Sequence, residues 1–264
     1  MLLELEDVRG GYGDGDVVRG ITCCADGGDV LCLVGPNGCG KTTLFRLLLG
    51  SLPLSGGRIC IGGRDAESFS PRERAGLAAY IPQHHTPVFA YTALDVVVMG
   101  RAARLSAFVS PGAADREAAF AALEKVNALD LANRKYTALS GGQRQLVLAA
   151  RAICQSARIF LMDEPAASLD YANQQLLLEA VSGLAEKGYC VVMSTHSPEH
   201  PGSIASKVLL MKDGQSAGFG PPREIITPER MEAVYGMEID VISVQDRYGM
   251  PRTVCLPVHR QRKV

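Results

Sequence analysis

A glycine-rich stretch near the start of the chain has the spacing of a phosphate-binding loop. Residues 35–42 have the sequence GPNGCGKT, which fits the pattern GxxxxGK[ST]. An apolar run ends at Val34 just before it, and a helical pattern begins near Gly40. Glycines let several backbone N–H groups point at one phosphate, and the helix N-terminus adds positive partial charge. We expect the chain to bind a nucleotide there, with Lys41 on the β- and γ-phosphates and the Thr42 hydroxyl on Mg²⁺.

The same loop contains a cysteine. A helix N-terminus and the nearby Lys41 should both lower the pKa of the Cys39 thiol, so we predict that modification of Cys39 blocks nucleotide binding. The chain has eight cysteines and no CxxC pair, and their spacing indicates neither a zinc site nor a disulfide framework. We expect most of the others to be small buried hydrophobic residues. They are Cys23, Cys24, Cys32, Cys60, Cys154, Cys190 and Cys255.

Two carboxylates follow an apolar stretch in the second half of the chain. Residues 159–162 are apolar and are followed by Asp163 and Glu164. With a phosphate loop upstream, Asp163 is the expected partner of Mg²⁺, and Glu164 can orient and polarise the attacking water. The alternative is a strand end that is acidic without a role, and the phosphate loop argues against it.

His196 is the polar residue at the end of a second predicted buried strand, at residues 191–195. A lone histidine is more often structural than functional. Open α/β sheets, however, bind ligands at the C-terminal ends of their strands. We therefore predict that His196 contacts the γ-phosphate.

Residues 139–143, with the sequence LSGGQ, precede another helical pattern. Ser140 can cap this helix, and Gly141 and Gly142 leave backbone N–H groups exposed at its positive end, as in a second anion site. A capped helix start is the alternative. Two glycines in a first turn cost stability, however, unless another group must approach closely.

The elements that must position these residues alternate between strand and helix patterns. Strands are predicted at 2–8 (as an edge strand), 16–24, 29–34, 57–61, 78–82, 158–162, 189–194 and 208–211. Helices are predicted at 40–49, 93–101, 113–128 and 141–154. Ser70 is predicted to cap a further helix, Thr92 to cap the helix at 93–101, and Asp170 to cap a helix that runs to residue 187. This order predicts an α/β domain with a mostly parallel sheet, a helical insertion at about 84–155 and a β-hairpin at 238–256.

Composition and charge exclude several classes of protein. The chain has 264 residues, of which 47% are hydrophobic and 21% charged, an ordinary globular balance that argues against disorder. The net charge of −1 gives no global reason to bind nucleic acid. No apolar stretch approaches the roughly 20 residues that cross a bilayer. Acidic residues at positions 4, 6 and 7 do not fit a signal peptide, so we expect a cytosolic chain.

Taken in order, the motifs resemble those of the ATP-binding subunit of ABC transporters. The resemblance covers about residues 2–235, with one departure at Ser197, where an aspartate is frequent. It implies a P-loop NTPase core at 1–83 and 156–236, in which helices flank a mostly parallel sheet beside an antiparallel β subdomain. It also implies a helical subdomain at 84–155 and a C-terminal β-hairpin tail at 237–264.

The resemblance further implies a role for each matching residue. ATP would be bound by Tyr12, which stacks on adenine, and by Gly35, Pro36, Asn37, Gly38, Cys39, Gly40, Lys41, Thr42 and Thr43. Mg²⁺ would be held by Thr42, Gln83 and Asp163, and catalysis would use Glu164, His196 and Gln83. The signature residues Ser140, Gly141, Gly142 and Gln143 would contact the ATP of a partner subunit, and Asp170 of the D-loop at 168–170 would lie at the dimer interface.

Partners follow from the same resemblance. Two copies would meet head to tail around two ATP molecules, forming a homodimer when ATP binds. The helical region after Gln83 would dock on membrane permease subunits, and a periplasmic or extracellular substrate-binding protein would act indirectly. The chain would lie at the cytoplasmic face of the cell membrane as a peripheral subunit, with no nucleic acid partner.

Three stretches resemble one subgroup of these ATPases. Residues 98–101, 110–111 and 144–152 are similar to those of importers for iron chelates, haem and cobalamin, and a molybdate or tungstate branch looks similar. The expected function is ATP hydrolysis that powers import. The alternatives are the ATPase of an exporter and a soluble ABC ATPase, such as the type that acts in iron–sulfur assembly.

Overall fold

A computed structural model describes residues 1–13, 15–83, 90–103, 110–167, 169–245, 247, 249 and 251–258. Ser168 of the predicted D-loop, residues 84–89 and 104–109 of the predicted helical insertion, and residues 246, 248, 250 and 259–264 of the predicted tail lie outside these ranges. Within them the chain forms three sheets and a set of helices around them. No helix in the described ranges combines the length and the apolar character needed to span a membrane.

The central sheet has six strands in the order β10-β9-β3-β8-β7-β6. Their bounds are β3 Val30–Val34, β6 Ala78–Ile81, β7 Ile159–Met162, β8 Cys190–Thr195, β9 Lys207–Lys212 and β10 Gln215–Gly220. All pairings are parallel except that of β10 with β9. Strands β3, β7 and β8 are buried along their whole length, which explains their continuous apolar sequences. The predicted α/β fold with a mostly parallel sheet is confirmed.

A second, antiparallel sheet has the order β2-β1-β4-β5. Its strands are β1 Leu3–Gly11, β2 Asp16–Ala25, β4 Gly56–Ile61 and β5 Arg64–Asp65. The prediction of an edge strand at residues 2–8 was wrong, because β1 lies between β2 and β4. Leu3, for example, pairs with Ala25 on one side and with Ile61 on the other. Alternation along one strand indicates a half-buried face and does not report how many neighbours pair with it.

The helices of the described residues are α1 Lys41–Leu48, α2 Pro71–Leu77, α3 Ala93–Val98, α4 Ala113–Lys125, α5 Gly141–Cys154, α6 Tyr171–Glu186, α7 Glu199–Ile204, α8 Pro222–Ile225 and α9 Pro228–Tyr235. Four of them, α2, α3, α5 and α6, begin directly after the predicted capping residues. Short 3₁₀ helices occupy Ala66–Ser68, Met99–Ala103, Leu129–Leu131 and Tyr136–Ala138. Side chains of Ser70, Thr92, Ser140 and Asp170 each accept a hydrogen bond from a backbone N–H in the first turn.

Two hydrophobic clusters cover the two faces of the central sheet. Side chains of β3 alternate between them: Val30, Cys32 and Val34 belong to one cluster, and Leu31 and Leu33 to the other. Burial on both faces fixes the register of the parallel strands. The C-terminal ends of β3, β6, β7 and β8 therefore meet along one edge of the sheet.

The predicted C-terminal hairpin is present. Strands β11 Ile239–Gln245 and β12 Pro251–Pro257 pair with each other in an antiparallel sheet. The hairpin packs against α7, and a Cβ atom added to Gly202 of that helix would lie 2.7 Å from Cβ of Thr253. This close approach places the hairpin beside the segment that follows β8.

Candidate active site

The phosphate-loop sequence lies between β3 and α1. Lys41 is 5% exposed, and its Nζ donates hydrogen bonds to the carbonyl oxygens of Gly35 at 2.7 Å and Pro36 at 3.0 Å. A Cβ atom at Gly35 would lie 2.3 Å from the carbonyl oxygen of Met211, so a larger residue does not fit there. Gly40, which precedes α1, has a φ of +105°, in the region that favours glycine. The glycines are thus required by the path of the loop itself.

Asp163, which directly follows β7, accepts hydrogen bonds from three hydroxyl groups. Its side chain is 5% exposed. Oδ2 accepts from the hydroxyls of Thr42 at 2.8 Å and Tyr80 at 3.1 Å, and Oδ1 accepts from the hydroxyl of Ser194 at 2.7 Å. Burial and the Asp163 charge raise the pKa of Tyr80 to about 12, so this phenol stays protonated and remains a donor. The carboxylate orientation is therefore fixed by the protein.

The donor set around Asp163 fits Mg²⁺ and the phosphates of a nucleotide. Mg²⁺ prefers hard oxygen ligands, and the Thr42 hydroxyl and the Asp163 carboxylate provide two that already face each other. A cavity of about 300 Å³ lies over them. It is lined by Val17, Asn37, Gly38, Gly40, Lys41, Thr42, Thr43, Gln83, Asp163 and Glu164. The residues predicted for Mg²⁺, namely Thr42, Gln83 and Asp163, thus share one cavity.

The Glu164 carboxylate brings three predicted residues together. Oε1 lies 3.5 Å from Nζ of Lys41, and Oε2 lies 3.2 Å from Nδ1 of His196. Nε2 of Gln83 donates to Oε2 at 3.4 Å. Gln83, Glu164 and His196 follow the C-terminal ends of three parallel strands, β6, β7 and β8, and Lys41 follows β3 through the phosphate loop.

The backbone of Glu164 adopts a conformation that is uncommon outside glycine. Its φ is +43°, which costs a non-glycine residue on the order of 1–3 kcal/mol. Successive strand residues normally face opposite sides. The left-handed turn instead lets Asp163 and Glu164 line the same cavity. The backbone N–H of Glu164 donates to Oγ of Ser194 at 2.8 Å, which holds the turn in place.

The prediction of an acidic thiol at Cys39 was wrong. The Cys39 side chain is only 3% exposed. Burial raises the pKa of Cys39, and this effect outweighs the opposing influence of Lys41 and of the backbone N–H groups. Cys39 therefore behaves as a buried apolar residue of the loop.

Tyr12, predicted to stack on adenine, is 47% exposed and directly follows β1 of the antiparallel sheet β2-β1-β4-β5. Nη1 of Arg46 donates to its hydroxyl at 2.7 Å, and the guanidinium carbon lies 5.5 Å from the ring centroid. A cation held against the ring fixes its orientation. Among the described residues, those that line the phosphate-loop cavity do not include Tyr12.

The stretch 139–143 lies apart from the phosphate-loop cavity. Ser140 caps α5 and forms a capping box with Gln143. A Cβ atom at Gly142 would lie 2.7 Å from Oδ1 of Asn173, and one at Gly141 would lie 2.6 Å from Cδ2 of Leu169. The close approach that the two glycines require is therefore provided by residues at the start of α6. Asp170, between Leu169 and Asn173 in the chain, caps that helix.

Two residues of the Asp163 network were missed from the sequence. Ser194 was visible only as a polar residue in an apolar strand, and Tyr80 only as part of a short predicted strand. The available signal was that Ser194 lies two residues before His196 at the strand end where ligands bind. A polar side chain at such a position must find a partner, because β8 is buried throughout.

The sequence profile of the ABC transporter family matches residues 18–167, which include the phosphate loop, the stretch 139–143 and the two carboxylates. The chain belongs to the ABC transporter family. Like other ATP-binding members, this ABC ATPase binds and hydrolyses ATP in connection with transport.

Individual relatives of this ABC ATPase extend the match over nearly the whole chain. The hemin import ATP-binding protein HmuV of Myxococcus xanthus is 33% identical over 98% of both chains. The molybdate import ATP-binding protein MolC of Haemophilus influenzae is 40% identical over 79% of this chain and 77% of its own. Among solved structures, a chain of a transporter assigned to the metal-chelate type, in an inward-facing conformation, is 33% identical, with a TM-score of 0.87 and 98% coverage of both chains.

Proposed function

We propose that this ABC ATPase powers the import of an iron chelate, haem or cobalamin through a membrane permease. The observation that carries the hydrolytic part is the position of the Glu164 carboxylate. It lies within 3.5 Å of polar atoms of Lys41, Gln83 and His196, at the edge of the phosphate-loop cavity. A carboxylate placed beside a phosphate site can orient the attacking water and accept its proton.

The roles of the other cavity residues follow from their chemistry. Lys41 would exchange its hydrogen bonds to the Gly35 and Pro36 carbonyls for bonds to β- and γ-phosphate oxygens. Thr42, Asp163 and Gln83 would hold Mg²⁺, which neutralises the charge of the phosphates when it is bound. His196, whose Nδ1 lies 3.2 Å from Glu164, would donate a hydrogen bond to the γ-phosphate.

We further propose that ATP closes two copies into a head-to-tail homodimer. In this arrangement Ser140, Gly141, Gly142 and Gln143 of one copy contact the ATP held by the other. The argument is that the N-terminus of α5, a helix of 14 residues, is positive and lies outside the cavity of its own chain. Asp170, at the start of α6, would lie at the interface, and Tyr12 would stack on adenine.

The direction and the class of substrate are supported by the relatives. HmuV is a hemin import protein, and the solved transporter is of the metal-chelate type. A molybdate importer is the second candidate, because MolC has the higher identity of the two named relatives. In either case the chain would act as a peripheral subunit at the cytoplasmic face of the membrane. It would dock on two permease subunits that receive substrate from a binding protein.

Uptake by the reconstituted transporter tests this proposal. The chain would be co-purified with its permease, placed in liposomes with ATP on the side of the ATPase, and supplied on the other side with the binding protein. Haemin, a ferric chelate, cobalamin and molybdate would be offered in turn. We expect ATP-dependent uptake of one metal chelate, and none with Glu164→Gln. Uptake of molybdate alone would favour the second candidate, and outward movement would contradict import.

A further inference from the structure

The last residue of α9 contacts the backbone of the predicted γ-phosphate residue. The hydroxyl of Tyr235 donates a hydrogen bond of 3.3 Å to the carbonyl oxygen of His196. The ring Nδ1 of the same histidine lies 3.2 Å from Oε2 of Glu164. One side chain from the C-terminal third of the chain therefore holds the peptide unit that carries the histidine ring.

Helix α9 is itself fixed to the core, so Tyr235 has little freedom. Met231 and Val234 are buried on its inner side. Nζ of Lys212, at the end of β9, donates to the carbonyl oxygen of Ala233 at 2.6 Å. Gly236 then ends the helix with a φ of +71°. The Tyr235 hydroxyl is thus positioned by a helix that is bonded to the central sheet, and the cavity lies at the edge of that sheet.

The segment that contains His196 links β8 to α7, and α7 is held against the hairpin by the close contact of Gly202 with Thr253. Between these two ends, the ring of His196 is about half exposed. Burial raises the pKa of Tyr235 to about 12, and the Glu164 carboxylate acts in the same direction, so the phenol stays a donor through the neutral range.

We propose that Tyr235 is a positioning residue for hydrolysis, which acts by holding the His196 backbone so that the imidazole faces Glu164 and the γ-phosphate. The inference rests on the role of His196 given under the proposed function. Through Tyr235, helix α9 would contribute to the reaction in addition to its packing.

The test compares Tyr235→Phe with Tyr189→Phe in the full-length protein. Tyr189→Phe is the matched control, because it removes the same atom from the residue that precedes the other end of β8. We expect Tyr235→Phe to lower kcat for ATP hydrolysis by about 2- to 10-fold, the range for one hydrogen bond, with KM for ATP unchanged. Hydrogen exchange at the amides of His196, Ser197, Glu199 and His200 should become faster in Tyr235→Phe and not in Tyr189→Phe.

A double-mutant cycle separates this inference from the proposed function. If the tyrosine acts through the histidine, Tyr235→Phe should have no further effect on kcat in a His196→Ala background. Equal loss in both backgrounds, or unchanged kcat and exchange in Tyr235→Phe alone, would overturn the positioning role. Full turnover by His196→Ala would instead overturn the proposed role of His196. Where His196→Ala has no measurable turnover, the hydrogen-exchange rates of Tyr235→Phe and Tyr189→Phe test the positioning role, and equal rates would overturn it.

Discussion

The hydroxyl of Thr42 donates a 2.8 Å hydrogen bond to Oδ2 of Asp163, although the two residues are 121 positions apart in the chain. This bond joins the start of α1 to the end of β7 across the floor of the cavity. Because Asp163 is also held by Ser194 and Tyr80, the fold itself orients two of the three residues proposed for Mg²⁺, Thr42 and Asp163. Such preorganisation reduces the reorganisation that the metal and phosphate would otherwise require.

Removal of the Ser194 hydroxyl should weaken this arrangement. Ser194 donates to Asp163 and accepts from the backbone of Glu164, so Ser194→Ala disturbs both carboxylates. Outer-shell partners of this kind are typically worth about 10- to 100-fold in metal affinity or activity. We expect ATPase titrations of Ser194→Ala to require correspondingly more Mg²⁺. The control is Ser206→Ala, which removes a hydroxyl bonded to Asp29 at the opposite edge of the sheet and should leave the Mg²⁺ dependence unchanged.

Burial of Cys39 sets its reactivity. Because its pKa is raised and its side chain is enclosed, we expect Cys39 to react slowly with iodoacetamide at pH 7. The partly exposed Cys24 and Cys60 should be modified first, as peptide mass spectrometry would report. Faster modification of Cys39 than of Cys60 would show that the loop opens and that the thiol is available.

The two glycines of the stretch 139–143 should differ in their tolerance of a methyl group. At Gly142 a Cβ atom would meet Oδ1, Cβ and Cγ of Asn173, whose amide also holds Asp170. At Gly141 it would meet only the end of the flexible Leu169 side chain. We expect Gly142→Ala to lower the free energy of unfolding by about 1–3 kcal/mol, and Gly141→Ala to have the smaller effect. Denaturant titration measures both, and equal values would contradict the packing argument.

An ion pair remote from the cavity predicts how stability depends on pH. Burial acts to raise the pKa of Asp29, but hydrogen bonds from Lys207, from the Asp26 backbone and from Ser206 outweigh it and lower the pKa overall. Lys207 has a raised pKa for the reciprocal reason, chiefly its hydrogen bond to Asp29. The stabilisation from Asp29 is therefore present above the unfolded-state pKa of about 3.9 and is lost as the pH falls through the lower folded value.

The corresponding measurement compares Asp29→Asn with the unsubstituted chain. At pH 7 the variant should be less stable by about 1–2 kcal/mol, because a charged hydrogen bond is lost. The difference should shrink below pH of about 4, where Asp29 becomes protonated in the unfolded chain and then in the folded one. A difference that stays constant down to pH of about 2 would exclude Asp29 ionisation as its cause.

Local signals explain which features could be predicted from the sequence. The bounds of α5 followed from the cap at Ser140 and the spacing of apolar residues, both of which lie within the segment itself. The central position of β1 could not be predicted in this way, because it depends on pairing with residues more than 50 positions away, such as Ile61. Sequence alone ranks such distant pairings poorly.

In the candidate site, too, local sequence signals could be predicted and contacts formed on folding could not. The motif residues were found because each has a recognisable spacing, whereas Tyr80 and Ser194 are single polar residues whose shared acceptor becomes apparent only after folding. The error at Cys39 has a related cause. Its helix terminus and neighbouring lysine are visible in the sequence, but its burial arises from the tertiary structure and is the larger effect on its pKa.

The Glu164→Gln variant tests the central claim most directly, because it keeps the size of the side chain and removes its charge. Both proteins would be assayed for ATP binding and for hydrolysis, with Glu186→Gln at the end of α6 as the control. We predict that Glu164→Gln binds ATP about as tightly as the unsubstituted chain but has a kcat lower by about 10²- to 10⁴-fold, the usual contribution of a general base. Turnover at the unsubstituted rate, with ATP bound normally, would contradict the assignment of Glu164 as the residue that activates water.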